Sequence, residues 1–121
     1  MKYLLLLNND SAAVDSWREL SAEEAAAQRA EEIPRWNALF GWAGEQGIEL
    51  EGLELDDPDK ARVVRVRDSE TTITDGPFAE TKEQIGGYFV AECKDLDQAI
   101  ELAQRVPVAT TGSVEIRPIA E

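Results

Sequence analysis

Histidine does not occur in this chain, and cysteine occurs once. Without imidazole there is no side chain whose ordinary pKa lies near neutrality. Ser-His-Asp and Cys-His machinery and histidine-ligated metal sites are therefore excluded. One cysteine permits no disulfide within the chain, and neither a metal nor an organic cofactor is expected. Cys93 ends the strand-like run Tyr88-Phe89-Val90-Ala91-Glu92-Cys93 and reads as a buried structural thiol, with no second Cys or His to activate it. Long apolar runs are also missing. The run Tyr3 to Leu7 is shorter than a secretory signal core of about 7–15 residues and far short of the roughly 18 needed to span a bilayer. Positive charge is scarce, with 12 Lys and Arg against 25 Asp and Glu and a net charge of −13. Nucleic-acid binding needs clustered cations that displace phosphate counterions, and anionic membranes need the same, so neither is an expected partner. What remains is a soluble, cytoplasmic domain. A chain of 121 residues fits one domain, 1–121, large enough to bury a core without staples.

The first strand, Lys2 to Asn8, is apolar at five successive positions, so both its faces need cover and it belongs in the centre of a sheet. A variable stretch containing Trp17 leads to Ser21-Ala22-Glu23-Glu24, the pattern of a reciprocal helix cap. A long helix follows to about Gln46, with Ile33, Trp36, Phe40 and Ala43 as its buried stripe. Pro34 predicts a kink or two abutting helices near Glu32, and Gly47 ends the helix in a left-handed conformation. A strand over Ile48 to Leu55 and an acidic turn at Asp56-Asp57-Pro58-Asp59 come next. Arg62 to Arg67 and Glu70 to Asp75 form a hairpin about Asp68-Ser69, pairing Arg67 with Glu70, Val64 with Ile73 and Arg62 with Asp75. One hairpin face then carries Val64, Val66, Ile73, Arg62 and Asp75, and the other is polar. A polar connection through Gln84 precedes a strand over Tyr88 to Cys93. Asp95 caps a helix over Leu96 to Arg105, with Gln98 at the reciprocal position and Leu96, Ala99, Ile100 and Ala103 as its apolar face. The last strand is Ser113 to Arg117.

This order, β-α-β-(β-β)-β-α-β, specifies an α+β ferredoxin-like fold with an antiparallel sheet and helices on one face. Two helices cover one face only, yet the first strand is apolar on both. The expected cover for the other face is a second copy, packed sheet to sheet as a homodimer.

The segment Thr74 to Gln84 concentrates the chemistry. Gly76 and Pro77 make a rigid turn, Phe78 can anchor it, and Asp75, Glu80, Lys82 and Glu83 gather ionisable groups beside it. At this point the chain resembles the YCII-related proteins of the DGPF-domain type. The resemblance rests on Met1-Lys2-Tyr3-Leu4-Leu5-Leu6, Val64-Arg65-Val66-Arg67-Asp68 and Thr74 to Gln84 followed by Gly86-Gly87-Tyr88-Phe89. It extends to Asp95-Leu96-Asp97 with Ala99 and to Gly112-Ser113-Val114-Glu115-Ile116-Arg117-Pro118, so it covers nearly the whole chain in order. It implies a dimeric α/β barrel and little about chemistry, although some members look genetically associated with extracytoplasmic-function sigma factors. Related YCII-like enzymes are thought to use a His-Asp pair, for instance in dechlorinating aromatic substrates. That pair cannot be carried onto a chain with no His, and the helix bearing Trp36 and Trp42, interrupted by Pro34, also departs from the family's usual unbroken helix.

Asp75 has two readings, as a carboxylate satisfied by its own turn or by Arg62, and as a base or polar anchor at the edge of a dimer interior. Lys82 is the second catalytic candidate, against a solvated lysine that balances Glu80 and Glu83. Trp36, Trp42, Phe78 and Tyr88 could line a pocket for a small aromatic ligand, against ordinary core packing. Arg62 could receive an anionic ligand, although Lys60, Arg62, Arg65 and Arg67 lie among enough acidic residues to form a cross-strand charge ladder. Two functions of different class survive. The favoured one is a small-ligand-binding or regulatory module. The alternative is a cofactor-free enzyme of the proton-transfer or elimination type, with Asp75 as base in an aromatic-lined pocket.

Overall fold

The computed structural model describes residues 1–76 and 83–121. Strand β1 (Lys2–Asp10) leads into helices α1 (Ser11–Arg18) and α2 (Ala22–Glu45), then strand β2 (Glu49–Glu54). Strands β3 (Arg62–Arg67) and β4 (Glu70–Asp75) follow, then β5 (Glu83–Glu92), helix α3 (Leu96–Gln104) and strand β6 (Ser113–Pro118). Four strands form an antiparallel sheet in the order β2-β5-β1-β6, and β3-β4 stand apart as a two-stranded sheet. Each β-α-β half leaves a gap that a strand of the other half fills, which is the ferredoxin-like order. The all-apolar β1 lies in the interior of the sheet, as its pattern requires.

Side chains on β1 alternate. Tyr3, Leu5 and Leu7 are buried under the helices with Phe89 and Ala91 of β5, Leu39 and Ala43 of α2, and Ala99, Leu102 and Ala103 of α3. Leu4 and Leu6 point to the other face and stay half-buried. The hairpin has the expected register, with Arg62 opposite Asp75, Val64 opposite Ile73 and Arg67 opposite Glu70. Its turn residues Asp68 and Ser69 both have positive φ, 51° and 66°, the backbone that matches strand twist in a two-residue loop. Gly47, at φ 71°, ends α2 while Ile48 N–H donates to Ala43 O at 2.9 Å, the bonding that a left-handed glycine permits.

Several expectations are corrected. The stretch with Trp17 is helical, because the Asp10 side chain accepts from Ala12 N–H at 3.2 Å and nucleates α1. Helix α2 is continuous through Pro34. Proline removes one N–H, and the helix retains a complete capping box at Ser21 and Glu24 and core contacts at Leu39 and Ala43. The buried stripe of α2 is Leu39 and Ala43 with half-buried Trp36, while Ile33 and Phe40 are 54% and 48% exposed. The N-terminal half of the helix overhangs the sheet, which leaves Ile33 in solvent, and Phe40 sits one step round the helix from Leu39. Strand β5 begins at Glu83, so the end of the supposed polar connection is paired strand. On α3 the buried face is Gln98, Ala99, Leu102 and Ala103, with Leu96 and Ile100 exposed. Gln98 tolerates burial because its N–H donates to Asp95 and its side-chain oxygen accepts from Lys94 N–H, each at 2.9 Å.

Candidate functional site

The residues singled out in the sequence fall into separate neighbourhoods. Asp75 ends β4 with its side chain 91% exposed and pairs with Arg62 Nε at 3.3 Å. The Arg62 guanidinium also donates to Ala61 O at 2.8 Å and to Asp59 O at 3.3 Å, and Gly76, at φ 81°, donates its N–H to Ala61 O at 2.9 Å. Arg62 and Asp75 thus brace the open end of the hairpin. Phe78 and Lys82 lie outside the described residues.

The aromatics divide across the sheet. Trp36, Phe40 and Phe89 form a cluster on the helix side with ring centroids 6.1–6.2 Å apart, the Phe40–Phe89 pair edge to face. Gly52 on neighbouring β2 makes room for it, since a Cβ there would collide with the Phe89 ring and the Tyr88 carbonyl. Trp42 lies further along α2 with the Arg105 guanidinium stacked over it at 4.2 Å. Tyr88, next to Phe89 in an alternating strand, belongs to the opposite, open face. Trp36 and Trp42 therefore belong to the packing between helix and sheet, and Tyr88 to a different surface.

The cations Lys60 and Arg62 are engaged locally. Lys60 Nζ lies 2.8 Å from Asp56. The base of the hairpin is tied to α1 by Arg18, which donates to both Asp57 oxygens at 2.6 and 2.8 Å and reaches Asp59 at 3.2 Å. The Arg18 guanidinium, helped by the Asp59 N–H, holds the Asp57 carboxyl down at about 2. Arg29 of α2 makes a two-pronged contact with Glu54 at 3.0 and 3.2 Å and lies over Trp17 at 5.1 Å. Cys93 is buried and free, and burial pushes its thiol up, which suits a packing role. A shallow polar depression of about 220 Å³ lies between Gln46 and the start of α3, lined also by Lys94, Asp95, Asp97, Gln98 and Glu101.

The surface that gathers the most varied chemistry is the open face of the sheet. Strand register places Leu4 beside Val90 and Leu6 beside Tyr88 in its centre, with Leu53 beyond Tyr88 on β2. A register shift between Leu7 and Asn8 brings Ile85 opposite Asn8, so Ile85 joins this face. Leu53 and Ile85 are 68% and 46% exposed. At the end of β1 a polar row crosses three strands. Asn8 Nδ2 donates to Ser113 Oγ at 3.3 Å, and Ser113 Oγ donates to Glu83 Oε2 at 2.5 Å. Neither Asn8 nor Ser113 stood out in the sequence, since Asn8 read as a strand terminator and Ser113 as a strand start. Glu83 belongs, along the chain, to the charged segment Thr74 to Gln84. The three are far apart in the chain, and only the pairing of β1 with β5 and β6 unites them.

A four-stranded antiparallel sheet in ferredoxin-like order, with helices packed on one face and a hairpin inserted between its halves, defines the class. The chain belongs to the YCII-related domain family, whose model matches residues 1–121. It is also similar to an uncharacterized protein of Rhizobium meliloti (strain 1021), with 33% identity over 122 residues, covering 99% of this chain and 93% of that protein. Among the described residues no helix is long and apolar enough to cross a membrane.

Proposed function

We propose that two copies of this chain pack sheet to sheet as a homodimeric α/β barrel of the DGPF type, and that the dimer is a cytoplasmic small-ligand-binding or regulatory module. The observation that carries this reading is the apolar open face formed by Leu4, Leu6, Leu53, Ile85, Tyr88 and Val90, which no helix among the described residues covers. A patch of this kind with a charged rim, here Glu51, Glu115 and Arg117, is characteristic of an interaction surface. The hairpin adds a second uncovered apolar face in Val64, Val66 and Ile73, each 57–65% exposed. Two curved sheets facing each other leave space between them, and the polar row at Asn8 gives that space a place where a ligand can be oriented.

A cofactor-free enzyme based on Asp75 has less support. Its carboxylate is solvated and paired with a guanidinium, without the enclosure that makes a general base effective. Light scattering at micromolar concentration tests the dimer: the expected mass is twice 13.4 kDa, and a particle of the single-chain mass refutes it.

A further inference from the structure

Resting on the sheet-to-sheet dimer, we infer that the hairpin β3-β4 of each copy is an arm that closes over the β2 margin of its partner's open face. The hairpin has little to hold it within one chain. It pairs with no strand of the main sheet among the described residues, and a two-stranded hairpin standing alone in water is marginally stable at best. Val64, Val66 and Ile73 share one face of it and are 57–65% exposed, a β-branched surface of the kind that packs against a neighbour. Its base, in contrast, is fixed. Arg18 of α1 holds Asp57 by two hydrogen bonds at 2.6 and 2.8 Å, and Gly76 N–H closes onto Ala61 O at 2.9 Å. So braced, the arm leaves Leu53 of its own sheet 68% exposed, and a second copy is what remains for its apolar face to meet.

Area points to the same occupant. Strands about 4.8 Å apart, with about six residues at roughly 3.4 Å each, give a four-stranded face of roughly 400 Å² in plan and a hairpin face of roughly 200 Å². A stable dimer buries about 800 Å² per partner, so the sheet face alone supplies about half. In a two-fold dimer each copy gives one arm and receives one. Each copy then buries roughly 200 Å² of its own hairpin and a like area under its partner's, which brings the total to about 800 Å².

Chemistry selects the β2 margin over the β6 margin. By alternation β2 continues the open face through Leu53 and then Leu55, 68% and 46% exposed, with Ile85 of neighbouring β5 at 46%. The β6 margin offers Ser113, Glu115 and Arg117 instead. Exposed Glu49 and Glu51 also lie along β2. In a chain of net charge −13, the hairpin segment 62–75 holds three arginines and three acidic residues, and the arginines are all on β3. It therefore lies against an acidic edge without the repulsion that a net-negative surface of the protein would bring.

Sedimentation over a dilution series gives dimer dissociation constants for wild type, Val66→Ala, Leu53→Ala, the double variant and Thr74→Ala, with circular dichroism confirming that each is folded. Val66→Ala and Leu53→Ala should each weaken the dimer about tenfold or more, since each loss counts twice across a two-fold axis. The double variant should weaken it by less than the product of the two, because the residues share one contact. Thr74→Ala, on the opposite face of the hairpin, should leave dissociation unchanged. A dimeric wild type whose dissociation is unmoved by Val66→Ala, moved equally by Thr74→Ala, or moved independently by Val66→Ala and Leu53→Ala overturns the arm on this margin and leaves the sheet-to-sheet dimer standing. A wild type that is monomeric at every concentration removes the dimer itself, and the arm with it.

Discussion

Replacing Phe89 or Tyr88 by alanine separates the two faces of the sheet. These residues are adjacent in β5, yet Phe89 is 9% exposed under Trp36 and Phe40 while Tyr88 is half-buried on the open face. Phe89→Ala removes a core ring whose loss typically costs about 3–5 kcal/mol, transfer and cavity terms together. At about 4 °C per kcal/mol for a chain of this size, Tm falls by roughly 12–20 °C. Tyr88→Ala removes partial burial within one chain, about 1 kcal/mol. With two copies sharing this face, as proposed, the larger share of its cost passes through association and so depends on protein concentration. Thermal melts monitored by circular dichroism over a hundredfold dilution series read both effects. The expected pattern is a large, concentration-independent drop for Phe89→Ala and a small intrinsic drop for Tyr88→Ala that shifts with dilution. Equal losses at every concentration refute the assignment of the two rings to opposite faces.

Other consequences are simpler to read. The folded pKa of Asp57 is depressed to about 2, so the stability from its Arg18 contact is present above the usual carboxylate value of about 4 and is lost as pH falls through about 2. Asp57→Asn should therefore flatten the acid limb of a stability-against-pH curve between those values, and an unchanged limb rules the contact out as a contributor. Ser69 carries φ 66° in the hairpin turn, so Ser69→Gly should raise stability by up to about 1 kcal/mol in urea titration; a loss of stability speaks against the left-handed turn. Pro34→Ala restores an N–H inside α2 and removes the ring from the helix interior, for a gain of up to about 3 kcal/mol. A loss there means that the proline shapes the helix.

Much of this molecule is legible along the chain because the signals are local. The five apolar residues of β1 announce an interior strand, Asp68-Ser69 flanked by alternating residues announces the hairpin and its register, and Gly47 marks the end of α2. The failures also have physical reasons. In α2, Trp36, Leu39, Phe40 and Ala43 satisfy helical spacing in more than one way, and which of Leu39 or Phe40 is buried depends on how the helix lies across the sheet. In α3, Gln98 looks like an outward residue until its two backbone partners are known. Helix α1 is short and weakly patterned, and its main signal is Asp10, which also terminates an apolar strand. The polar row is the least legible feature, because Asn8, Glu83 and Ser113 are joined by strand pairing and by a register shift that no spacing rule reveals. Asp75, in contrast, is conspicuous in the sequence and lies in solvent at the hairpin end.

The central claim, that the open sheet face is the face two copies share, is tested most directly by sedimentation equilibrium of Leu6→Glu beside wild type. Ile33→Glu, on the exposed overhang of α2, serves as control, since it adds the same charge on the helix side. Wild type and Ile33→Glu should sediment at twice 13.4 kDa and Leu6→Glu at 13.4 kDa. A dimeric Leu6→Glu, or a wild type that is already monomeric, would contradict it.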